Sequence, residues 1–182
     1  MSRPAAVCRP MSSPPLPYLL GYPEAVRTQA AQALATGRLG PWLQQRYPDT
    51  HGLRSDTALY DYVAALRNRF LRTAPPLAKV RYDGTLQTVH QALGTHTRVT
   101  RVHGGRLRTK REIRIATLFR VAPEPFLHMI AAHELAHLRE PEHDKAFYQL
   151  CCHMAPDYAQ LELDVCLYLT HLDAAGAPLW TP

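Results

Sequence analysis

Apolar positions recur at helical spacing through the first and last thirds of the chain and at strand spacing between them. Over residues 23–46, Ala25, Val26, Ala30, Ala33, Leu34, Leu39, Trp42 and Leu43 return every three or four positions, interrupted around Gly37 and Gly40. The pattern predicts one helix and a shorter continuation. Ser55 or Asp56 can cap a second helix that turns Leu59, Tyr62, Val63, Leu66 and Phe70 toward the core, and Pro75-Pro76 stop it. The segments 78–82, 86–90, 95–103 and 112–119 then predict short strands, divided by Asp83-Gly84, Gly94 and Gly104-Gly105. Together they predict a small, mostly antiparallel sheet packed with helices, an α+β arrangement.

The last third is helical again. Pro123 and Pro125 suit a helix start, and a largely apolar run from Phe126 extends to Arg139 before Pro141. Asp144 can cap a further helix bearing Ala146, Phe147, Leu150 and Cys151, and Pro156 opens a final one through Leu161, Val165, Tyr168 and Leu172. Residues 1–15, with four prolines among small residues, predict a disordered tail, 16–174 a single domain, and 175–182 a C-terminal tail. There is no internal repeat.

The strongest chemical signal lies on the helix predicted before Pro141. His133-Glu134-Leu135-Ala136-His137 is an HExxH arrangement. Histidines four apart share a helix face, so both imidazoles can reach one ion, and Glu134, one step beyond the first, can meet a water beside that ion without being a ligand. A catalytic zinc site needs a third protein ligand and leaves a fourth position open. His143, six residues after His137, is the best candidate, because Pro141 stops the helix and lets the chain bend back. Glu162, at a longer interval, and His153 compete for that place. Such a site is hydrolytic, with Glu134 as the base that accepts a proton from the attacking water.

Charge changes the picture between Arg98 and Arg120. Arg98, Arg101, Arg106, Arg108, Lys110, Arg111, Arg114 and Arg120 face Glu112 alone, a local +7 within a chain of net +6. Arg101, Arg106, Arg108, Lys110 and Arg111 are therefore candidate substrate-binding residues for phosphates, or a basic surface for nucleic acid or acidic peptides. The segment 112–119, just before the site helix, is a candidate edge for pairing with an extended peptide. Four cysteines, Cys8, Cys151, Cys152 and Cys166, show neither a CxxC pair nor a disulfide framework. No apolar run reaches the ~20 residues of a membrane-spanning helix, and residues 1–17 lack a secretory signal, so the sequence predicts a soluble cytoplasmic protein with no membrane partner.

Residues 133–154, HELAHLREPEHDKAFYQLCCHM, resemble the core of the YgjP-like metallopeptidase-domain family. Gly21-Tyr22-Pro23-Glu24, Arg46-Tyr47-Pro48, FLRTAPPLAKVRYD from Phe70 and EIRIATLFRVAPEPFL from Glu112 extend the likeness over residues 16–172. The resemblance implies a zincin-like fold, zinc on His133, His137 and His143, and Glu134 as catalytic residue. Two departures stand out: Arg101 is followed by Val102, His103, Gly104 and Gly105 where the family has an Arg-Trp-Gly-Ser-like element, and Phe147-Tyr148 replaces Phe-Trp. Because members also carry a UTP pyrophosphatase label, the resemblance implies two substrates, peptide or nucleotide. Three readings follow: a zinc metallohydrolase of the metallopeptidase type, a metal-dependent UTP pyrophosphatase using the basic 98–114 region, and a nucleic-acid-binding module with structural zinc. The last lacks a cysteine partner to close a fourth coordination position.

Overall fold

The computed structural model describes residues 16–86, 95–103 and 106–181, with 95–103 and 106–110 described as backbone alone. The 1–15 tail lies outside the described residues. A short 3-10 turn at Pro17–Leu19 leads into α1 (Glu24–Ala35) and α2 (Leu39–Arg46), and α3 (Asp56–Phe70) follows. Gly37 separates α1 from α2 with a φ of +67°, a left-handed backbone that glycine adopts at little cost. At the start of α3 the Ser55 hydroxyl accepts a hydrogen bond from the Ala58 amide at 3.1 Å, so Ser55 and not Asp56 is the N-cap of the two that the sequence offers.

Three strands follow: β1 (Lys79–Asp83), β2 (Thr95–His103) and β3 (Arg106–Ala116). Their spatial order is β1-β3-β2. β2 and β3 form an antiparallel hairpin, Thr95 opposite Arg114 and His103 opposite Arg106, while β1 lies parallel to β3, Lys79 beside Glu112 and Asp83 beside Ala116. The expectation of a mostly antiparallel sheet is thereby corrected: the chain is mostly helical, and its small sheet includes a parallel pair. The reason is the order of the strands. Successive hairpins would have placed β2 beside β1, but β3 turns back into the space between them, and a strand that returns after an antiparallel neighbour runs parallel to the first.

Two strand boundaries also differ. The last strand starts earlier than 112 and ends at Ala116, because Thr117–Val121 tightens into a 3-10 turn before Pro123. Of the segment 86–90, Leu86 is outside any strand and 87–90 lie outside the described residues. Glu112 to Arg114 have β1 on one side and β2 on the other, so this part of the strand has no free edge for a peptide.

The final three helices are α4 (Glu124–Ala136), α5 (Lys145–Met154) and α6 (Tyr158–Ala175). Ten consecutive or near-consecutive residues of α4, from Phe126 to Ala136, are buried, which puts this helix through the centre of the core. It packs against α3, α5, α6 and β3. Asp144 caps α5, its side chain accepting from the Phe147 amide at 3.0 Å. Gly176 (φ +68°) ends α6, and the chain returns so that Trp180 packs edge-on against Phe126 while its indole N–H donates to the Tyr47 carbonyl at 3.0 Å. Buried Asp164 on α6 accepts from Arg46, Tyr47 and Gln160, which ties α2 to α6. No helix among the described residues is long and apolar enough to cross a membrane.

Candidate metal centre

α4 stops at Ala136 and His137 occupies its C-cap, short of the run to Arg139 that Pro141 alone would have permitted. The chain then tightens, with Leu138 N–H donating to the Leu135 carbonyl and Glu140 N–H to the Ala136 carbonyl. His133 therefore sits in the last helical turn and His137 directly above it, their ring centroids 5.0 Å apart. The turn through Pro141 brings His143 back over the same face. Its ring lies 5.0 Å from that of His133 and 4.8 Å from that of His137. One nitrogen from each imidazole can be chosen so that all three fall within 4.8 Å of one another.

Hydrogen bonds orient two of these rings. His137 Nδ1 lies 3.1 Å from the Glu140 carbonyl oxygen, which can only accept, so Nδ1 carries the proton and Nε2 presents a lone pair. His133 Nδ1 lies 2.7 Å from the Tyr158 hydroxyl, and that hydroxyl lies 3.0 Å from Glu162 Oε1. Phe147, fully buried, forms a wall against all three imidazoles, with centroid separations of 4.6 to 4.9 Å. Burial pushes the His133 pKa down to about 3, helped by the neighbouring His137 and His143, and burial also lowers that of His137. Both rings are thus neutral at pH 7, the form in which imidazole binds a metal.

Two observations test whether a metal fits here. His133 Nε2 and His143 Nε2 are 3.2 Å apart, close to the roughly 3.4 Å that separates two nitrogens bound at about 2.1 Å to one tetrahedral ion. Glu134 is 1% exposed, and its Oε2 has no hydrogen-bond partner among the described residues. Burial alone raises its pKa to about 8. At pH 7 the metal-free group is therefore mostly protonated, and a cation held by the histidines would lower its pKa and restore a base; its unpartnered buried oxygen is costly unless a polar group meets it. The residues fit a metal ion with three nitrogen ligands.

The other sequence candidates are placed elsewhere. Among the described residues Glu162 is outside the histidine group and is linked to it through Tyr158. His153 is exposed on α5 against the Phe70 ring, at a centroid distance of 5.5 Å. Arg111 on β3 donates to the Leu138 carbonyl at 3.4 Å, one residue past His137, so the basic hairpin begins beside the site. The side chains of Arg101, Arg106, Arg108 and Lys110 lie outside the described residues. Arg114 is engaged with Asp83 at 3.3 Å. Sequence reasoning overlooked Tyr158; its only signal was the i, i+4 spacing from Glu162 on one helix face.

A description of the YgjP-like, metallopeptidase domain family matches residues 81–164. The chain is also 57% identical, over 157 residues, to a protein of Escherichia coli (strain K12) named UTP pyrophosphatase, an alignment that spans 86% of this chain and 94% of the relative. No solved structure shows a significant match. A domain named for metal-dependent hydrolysis and a near-full-length relative named as a hydrolase agree with a buried carboxylate beside three converging histidines, and the chain belongs to the YgjP-like metallopeptidase-domain family of hydrolases.

Proposed function

We propose that the chain is a zinc-dependent nucleoside-triphosphate pyrophosphatase that acts on UTP. The observation that carries this choice is the 57% identity, across 94% of its length, to a relative named UTP pyrophosphatase. Two features favour it over cleavage of a peptide. β3 is paired on both sides at Glu112–Arg114 and offers no free edge there, and the hairpin that leads away from Arg111 is strongly basic.

In this reading His133, His137 and His143 hold the ion and Glu134 is the catalytic residue. Zinc bound there supplies Lewis-acid polarisation of a substrate oxygen and a lowered water pKa. Glu134 accepts a proton from the water as its oxygen attacks the α-phosphorus, and the bond from that phosphorus to the bridging oxygen breaks. Pyrophosphate leaves with the bonding electron pair. Phe147 keeps bulk water from the back of the imidazoles. Arg101, Arg106, Arg108, Lys110 and Arg111 offset the charge that gathers on the departing oxygens.

The test is a panel of nucleoside triphosphates and a denatured protein, each assayed with and without a chelator. Chelator-sensitive release of pyrophosphate from UTP, with the protein left intact, is expected. Cleavage of the protein with no loss of UTP would overturn the reading in favour of a peptidase.

A further inference from the structure

Tyr158 has one hydroxyl proton and three polar neighbours, His133 Nδ1 at 2.7 Å, Glu162 Oε1 at 3.0 Å and the Cys151 thiol. The hydroxyl can donate to only one of them. If it donates to the carboxylate, the short contact to His133 requires Nδ1–H as donor, which leaves Nε2 bare and aimed toward His143. If it donates to His133 instead, the proton of that ring moves to Nε2 and blocks the nitrogen that faces the other histidines. The hydroxyl is placed to donate to Glu162 Oε1, which selects the first arrangement.

We propose that Tyr158 and Glu162 form a positioning relay that sets the tautomer and ring orientation of His133, so that Glu162 serves the metal centre through two hydrogen bonds and not as a ligand. The relay is built into the fold. Tyr158 and Glu162 are one turn apart on α6, which packs against α4, and the Tyr158 ring lies nearly parallel to the His133 ring with centroids 6.3 Å apart. Tyr158 is fully buried, so no water competes for its hydroxyl. His137 is oriented by a backbone carbonyl through Glu140, whereas His133 lies deeper and uses a side-chain chain running to the opposite helix. Partners of this kind orient metal-binding imidazoles and raise their basicity, and their loss typically weakens metal binding about 10- to 100-fold.

The inference rests on the reading of the three histidines as a metal site, and the test separates the two. Zinc affinity of the full chain is measured by competition with a chelating dye, without nucleotide, for the wild type, Tyr158→Phe, Glu162→Gln and the double variant. In parallel, the His133 tautomer in the metal-free protein is read from long-range nitrogen–proton NMR correlations. Tyr158→Phe is expected to weaken zinc about 10- to 100-fold, and Glu162→Gln to weaken it less. The double variant should bind no worse than Tyr158→Phe, because Glu162 acts only through the hydroxyl. Metal-free wild type should show Nδ1–H on His133, and Tyr158→Phe a mixture of tautomers. Wild-type protein that binds no zinc would fail the underlying site reading. Zinc binding by the wild type with equal affinity in Tyr158→Phe would overturn the relay alone. A Glu162→Gln effect as large in the Tyr158→Phe background as in the wild type would show that Glu162 acts without the hydroxyl and also overturn it.

Discussion

The end of α4 and the β2–β3 hairpin hold the two kinds of residue that the proposed reaction would use, and they hold them differently. Buried His133 and half-buried His137 each pack their ring against Phe147 and are tied by a hydrogen bond to a defined partner. The hairpin carries its charge on a two-stranded segment whose pairing, from Arg98 with Arg111 to His103 with Arg106, runs past the reach of β1. The contrast teaches that bond breaking and charge recognition require different precision of placement. A base must meet its water within a few tenths of an ångström, whereas cations attract a triphosphate by sign and nearness.

The largest expected break in that comparison is Glu134→Gln, which removes the proposed base and leaves the histidines in place. Turnover of UTP should fall about 10²- to 10⁴-fold while zinc content by elemental analysis is retained. Phe147→Ala attacks the wall behind the imidazoles. It should cost about 3–5 kcal/mol in a denaturant melt, because a fully buried aromatic ring leaves a cavity that the surrounding histidines cannot fill.

On the hairpin the expected effects are smaller and of another kind. Arg106→Ala combined with Arg108→Ala should raise KM for UTP by about tenfold with kcat little changed, equivalent to about 1.4 kcal/mol of binding. An unchanged KM would remove the phosphate role. The smallest effect belongs to the root of the sheet, where Asp83 on β1 accepts from the Thr85 amide and hydroxyl and pairs with Arg114 and Arg81. These contacts hold its pKa down at about 2, against an ordinary 3.8. The folded form thus stays ionised where the unfolded chain takes up a proton, so the stabilisation is present above pH 3.8 and is lost as pH falls through about 2. Thermal melts between pH 5 and pH 2 should show a shallower decline for Asp83→Asn than for the wild type.

Much of the helical part was legible from local signals. Gly37 marks the break between α1 and α2, Ser55 and Asp144 cap α3 and α5, and the HExxH spacing alone puts His133 and His137 on one face. These features depend on residues a few positions apart, where backbone sterics and hydrogen-bond reach decide the outcome. The sheet was less legible. Strand segments can be recognised from β-branched runs and glycines, but nothing local tells whether β2 or β3 takes the place beside β1, and that choice converted an antiparallel expectation into a parallel pair. The end of α4 shows the same limit at smaller scale, since Pro141 forbids continuation but the helix already ends at His137, whose ring donates to the Glu140 carbonyl.

The sequence by itself determined the candidate chemistry: two imidazoles and a carboxylate at helical spacing, a third histidine after a proline, and a run of cations just upstream. Only the tertiary structure decided how they are used. It closed β3 on both sides at Glu112–Arg114, brought Arg111 to the end of α4, and set Tyr158 between His133 and Glu162. Apart from the Tyr158–Glu162 pair, one helical turn apart, those relations join residues 25 or more positions apart or strands in a non-sequential order. They arise from packing apolar faces of whole elements against one core, a condition that no short window of sequence contains.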